Sequence, residues 1–97
     1  MALALNQGAV VTVAAAGTRV QLSSTVTACN VLYLEADMNC PAYIYIGDST
    51  VSSSAYITNL RAREGWTISV QGEPKLNPST IYVDATTAGS KLRWGWA

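Results

Sequence analysis

Apolar and polar residues alternate with a period of two along most of this chain, and no stretch sustains a 3.6-residue apolar stripe over two turns. That pattern predicts an almost entirely β protein. Val31-Leu-Tyr-Leu-Glu-Ala36 sets Leu32, Leu34 and Ala36 on one face and Val31, Tyr33 and Glu35 on the other. Ala42-Tyr-Ile-Tyr-Ile-Gly47 repeats the arrangement, with Ile44 and Ile46 opposed to Tyr43 and Tyr45. Trp66-Thr-Ile-Ser-Val-Gln71 alternates cleanly, and Lys91-Leu-Arg-Trp-Gly-Trp96 puts Leu92, Trp94 and Trp96 together against Lys91, Arg93 and Gly95. Shorter strands are expected over residues 9–13, 18–22, 80–84 and around 55–60.

Turn chemistry separates these segments. Ala14-Ala-Ala-Gly17 divides the first two, which read as a strand pair, and Asp37-Met-Asn-Cys-Pro41 divides the next two. In the charged turn Arg61-Ala-Arg-Glu-Gly65, Gly65 is expected to supply a positive φ. Two prolines keep residues 72–78 out of a central strand. About eight short strands at roughly ten-residue spacing predict a single antiparallel β-sandwich, jelly-roll-like, or else a small barrel. A chain of 97 residues has room for one core. Residues 9–97 are read as that domain and residues 1–8 as an N-terminal arm.

Charge changes the picture by what it excludes. Only 12% of residues are charged and the net charge is zero, against about 25% charged residues in an average globular domain. Nothing drives this chain electrostatically toward nucleic acid or an anionic membrane. Histidine is absent, which removes Ser-His-Asp and Cys-His nucleophiles and imidazole metal ligands, so a non-enzymatic protein without metal or cofactor is expected. Glu35 and Asp37 are the one close carboxylate pair, and no cleft is expected around them for glycosidase chemistry. No apolar run reaches the roughly 18 residues of a membrane span, and the start lacks the basic leader of a signal peptide, which suits synthesis in a cytosol. Cys29 and Cys40 are expected to be free thiols. If residues 31–36 and 42–47 form a hairpin turning near 37–41, the two lie roughly 25–30 Å apart at about 3.3 Å per residue, beyond a disulfide's reach of about 7 Å.

Three stretches carry a resemblance: Tyr43-Ile-Tyr-Ile-Gly-Asp48, Leu60-x-x-x-x-Gly65 running into an alternating strand, and Ile81-Tyr-Val-Asp-Ala-Thr-Thr-Ala-Gly89. In this order they resemble the small β-sandwich structural proteins of tailed bacteriophages, over roughly residues 31–94. The resemblance implies a virion component and, more specifically, a head decoration or cement protein on the capsid exterior. Its implied partners are the major capsid protein and further copies of itself, a trimer being the assembly expected. The same sandwich is reused in tails and fibres, so a glycan-binding adsorption module and a head–tail adaptor stay open. The chain departs from the pattern at Ala85, where such proteins often have glycine, and at its Trp-Gly-Trp-Ala end.

The candidate interface residues follow from residue type and position. Trp94 and Trp96 on one strand face serve either the domain's own core or a partner. Leu3 and Leu5 belong to an apolar arm, where strand addition to a neighbour's sheet edge stands against a frayed terminus. Arg61 and Arg63 form, with Glu64, the densest charge cluster, either simply solvated or set to grip carboxylates. Tyr43 and Tyr45, with Tyr33 on a neighbouring strand, are a candidate platform for sugars.

Overall fold

The computed structural model describes residues 5–25, 28–73 and 75–97. They form nine strands: β1 (Asn6–Gln7), β2 (Val11–Val13), β3 (Val20–Gln21), β4 (Val31–Ala36), β5 (Ile44–Gly47), β6 (Thr58–Leu60), β7 (Gly65–Ser69), β8 (Tyr82–Ala85) and β9 (Ser90–Trp96). A 3-10 turn at Pro78–Thr80 precedes β8, with Asn77 capping it through a bond from the Ser79 N–H.

The strands make two antiparallel sheets. One has the order β1-β9-β4-β7, with β2 also pairing along β9; the other has the order β3-β8-β5-β6. The pairs β2 with β9, β3 with β8, β4 with β7 and β5 with β6 are successive rungs of one long hairpin rolled over itself. That is the jelly-roll arrangement of a β-sandwich. The core lies between the sheets, where Leu32, Leu34, Ala36, Ile44, Val83 and Leu92 lose all contact with solvent. Fully burying each of the larger ones contributes about 1.5–3 kcal/mol.

Two expected hairpins are replaced by links between sheets. β4 and β5 lie in opposite sheets, so Leu32 and Leu34 face Ile44 and Ile46 across the core instead of standing beside them. The 9–13 and 18–22 segments likewise part company, β2 pairing with β9 and β3 with β8. Alternation fixes which face of a strand is buried and carries no information about which strand lies next to it. Both cysteines are free and buried all the same. Burial pushes the Cys29 thiol above its ordinary pKa, and its Sγ lies 3.6 Å from the Leu76 carbonyl it points to.

β1 and β2 behave as one strand with a bulge. Asn6 and Gln7 oppose Trp96 and Gly95, whereas Val11 opposes Leu92, so residues 8–10 stand against Arg93 and Trp94 alone. Asn6 and Gln7, read from the sequence as part of an arm, therefore pair in the sheet, and the Gly8 N–H that follows donates to the Trp94 carbonyl (3.0 Å). Asp84 ties down the next link: it sits on the outer face of β8, yet is only 3% exposed because its Oδ1 accepts from the Gly17 N–H (3.0 Å), drawing residues 14–17 over it.

Candidate interaction surface

Trp94 and Trp96 project from the inner face of β9, their rings stacked at 5.1 Å between centroids. Trp94 is 7% exposed and joins the core, and its indole N–H donates to the Ala9 carbonyl in the bulge (2.9 Å). Of the two readings of Trp94, packing in the domain's own core is the one this geometry realises. Trp96 is half-buried at the rim of an open groove of about 640 Å³ between the bulged first strand and residues 20–25. Leu5 is 79% exposed beside Gly95. Leu3 lies outside the described residues.

A second surface covers the outer face of the β3-β8-β5-β6 sheet. Because Ile44 and Ile46 point inward, Tyr43 and Tyr45 must point out, and their centroids are 6.3 Å apart. Tyr56, from the long link before β6, lies 4.9 Å from Tyr45, and Thr86 Oγ1 donates to the Tyr45 hydroxyl (3.1 Å). At the other end the Arg61 guanidinium donates to the Tyr43 hydroxyl from Nη2 (2.5 Å) and Nε (3.1 Å) and lies 5.0 Å from the ring centroid. Those bonds hold the Arg61 pKa above its already high ordinary value. The result is a continuous row of Arg61, Tyr43, Tyr45 and Tyr56 with its rings and guanidinium already positioned.

No family model, curated protein or solved structure matches this chain.

Tyr33, expected beside the other tyrosines, is on the opposite sheet. Its ring covers Gly65 on β7, where a Cβ would come 2.5 Å from the tyrosine oxygen, and its hydroxyl donates to Glu35 Oε1 (2.6 Å), which raises its pKa. Asp37 is taken up by Arg93 (3.0 Å), so both carboxylates of the Glu35–Asp37 pair hold structural partners. Tyr56 takes the place assigned to Tyr33. It falls in the segment around 55–60 expected to be a strand, but the strand begins only at Thr58, which leaves Tyr56 in the link before it. Near it, Asp48 closes the end of β5 by accepting from the Thr50 hydroxyl (2.6 Å) and N–H (2.8 Å), which lower its pKa, the hydroxyl contributing most.

Arg63 differs from Arg61. It has φ 67°, whereas Gly65, the residue expected to take a positive φ, is an ordinary strand residue kept small by Tyr33. The turn is closed by the Glu64 N–H donating to the Arg61 carbonyl (3.0 Å) and the Arg61 N–H to Glu64 Oε1 (2.6 Å). A left-handed conformation costs a non-glycine residue about 1–2 kcal/mol, while glycine's extra unfolded-state entropy costs about 0.5–1. Arg63→Gly is therefore expected to raise unfolding free energy in urea by about 0.5–1 kcal/mol. A loss of stability instead would give the Arg63 side chain a contact of its own.

Proposed function

We propose that this chain is a non-enzymatic structural subunit of a bacteriophage virion, a decoration or cement protein that binds the major capsid protein on the outside of the expanded head. The observation that carries the reading is the Arg61–Tyr43–Tyr45–Tyr56 surface. Arginine and tyrosine are among the residue types that dominate binding hot spots, and here each side chain is held by its neighbour in the row, Arg61 on Tyr43, Tyr43 beside Tyr45 and Tyr45 against Tyr56, so less side-chain entropy is lost when a partner covers them. The three stretches that resemble phage sandwich proteins support it further: they supply β5, the turn after β6, and β8 with the turn that follows, which border this surface, and also β7, which lies in the other sheet.

The mechanism is linkage. A subunit whose contacts exist only on the assembled, expanded shell stabilises that state by mass action, the more so the further its concentration exceeds its Kd, and so resists pressure from packaged DNA. With zero net charge, binding depends on shape and apolar contact and is expected to weaken little as salt rises. Co-sedimentation with expanded heads lacking the protein, with unexpanded procapsids and with tails, at low and moderate salt, tests this. Saturable, salt-tolerant binding to expanded heads alone is the expected result; binding to tails only, or loss at moderate salt, would overturn it. The same tyrosines favour one second reading, a glycan-binding adsorption module, since three clustered tyrosines, with Tyr56 exposed, present aromatic surface to a sugar. Quenching of tyrosine fluorescence by sugars without head binding would select it.

A further inference from the structure

Where a sheet ends, its outermost strand presents unpaired backbone groups, and proteins commonly blunt such edges with charge, proline, bulges or shortness. Three of the four edges here are blunted among the described residues. β3 has two residues and follows Arg19, β6 has three and runs into Arg61, and the β1–β2 edge is broken by its bulge. β7 differs: Gly65-Trp-Thr-Ile-Ser69 is five residues long, uncharged, without proline and unbroken.

Its hydrogen-bonding phase is defined at both ends. The Ala36 N–H donates to the Glu64 carbonyl (3.0 Å) and the Val70 N–H to the Asn30 carbonyl (2.8 Å), so even-numbered residues bond to β4. The N–H and C=O groups of Gly65, Thr67 and Ser69 consequently face outward along the edge. Trp66 and Ile68 point toward the core but stay half-buried, since no strand lies beyond them.

We propose that this edge pairs with β7 of a second copy, antiparallel about a two-fold axis at Thr67, joining two sandwiches through one continuous sheet. The register is self-complementary. Thr67 meets Thr67 of the second copy and Gly65 meets its Ser69, each pair exchanging both N–H···O bonds. On the inner face Trp66 meets Ile68 in both directions, an aromatic and β-branched pair of the kind that stabilises sheets. The pairing is independent of the decoration reading and is two-fold, where the phage resemblance implied a trimer.

The test is sedimentation equilibrium over micromolar to submillimolar protein, with amide hydrogen exchange read at residues 65, 67 and 69. Dimerisation is expected, with those three amides slowing as concentration rises. Thr67→Pro removes an N–H that β4 does not use, and edge strands tolerate proline there; Thr67→Lys places two ammonium groups face to face on the axis. Each is expected to weaken dimerisation at least tenfold while leaving the circular dichroism spectrum of the folded chain unchanged. Should Thr67→Pro fail to fold, Thr67→Lys alone decides. A wild-type monomer at the highest concentration, a trimer or ring, or a dimer that Thr67→Lys leaves intact would overturn the proposal.

Discussion

Gly8→Ala is expected to destabilise the fold by about 2–3 kcal/mol, the upper part of the range for forcing extra volume into a packed site. A Cβ on Gly8 would lie 2.5 Å from Trp94 Cδ2 and Cζ2 and closer still to Cε2. These are atoms at the centre of a large ring that is stacked on Trp96 and bonded through its N–H to Ala9. The ring cannot swing aside without breaking that bond, and the strand cannot back away without giving up the bond from Gly8 to Trp94. At about 4–8 °C per kcal/mol for a domain of this size, the melting temperature should fall roughly 10–20 °C. Trp94→Leu removes the offending ring atoms and is expected to cost about 3 kcal/mol through lost packing. Combined with Gly8→Ala it should cost no more than Trp94→Leu alone, because the clash is gone. Additive losses in that double-mutant cycle would show that Gly8 is small for another reason.

Alternation placed Leu92, Trp94 and Trp96 on one face of β9 and Leu32, Leu34 and Ala36 on one face of β4, and both faces are inward. Burial of one face is a local property of a strand, so it is legible from local pattern. Pairing is not. In a rolled hairpin β4 is joined by a seven-residue link to β5 in the other sheet, while its ladder partners are β7 and β9, far along the chain. Nothing in residues 31–47 records those partners. The bulge at 8–10 escaped for a related reason: its one local trace is Gly8, and the reason for that glycine is a tryptophan 86 positions later.

The candidate surface divides in the same way. Tyr43 and Tyr45 are legible because they alternate with core isoleucines. Tyr56 is not, and Tyr33 falls on the other sheet because β4 and β5, consecutive in the chain, are not neighbours in space. Arg61 and Arg63, two residues apart, read as one cluster. One instead lies along a tyrosine while the other occupies the left-handed position of the turn. A charge cluster in a sequence is thus two different objects once the turn direction is known, and the difference separates a contact residue from a strained one.

That separation sets the second large effect. Arg61→Ala is expected to weaken binding to expanded heads at least about thirtyfold, corresponding to the ~2 kcal/mol that marks a hot spot. The change should leave folding nearly intact, since an exposed guanidinium over a tyrosine contributes only about 0.5–1 kcal/mol. Arg61→Lys should recover little of the lost affinity, because an ammonium cannot reproduce a planar group that bonds the Tyr43 hydroxyl through two nitrogens. Arg63→Gly, on the same turn, should bind as the unaltered protein does. Binding isotherms on heads, read beside urea unfolding of each variant, distinguish the outcomes. If Arg61→Ala binds normally, the tyrosine row is not the contact, and the groove beside Trp96 becomes the surface to alter next. If Arg61→Ala and Arg63→Gly lose binding alike, the turn as a whole is the contact and the division between its two arginines fails.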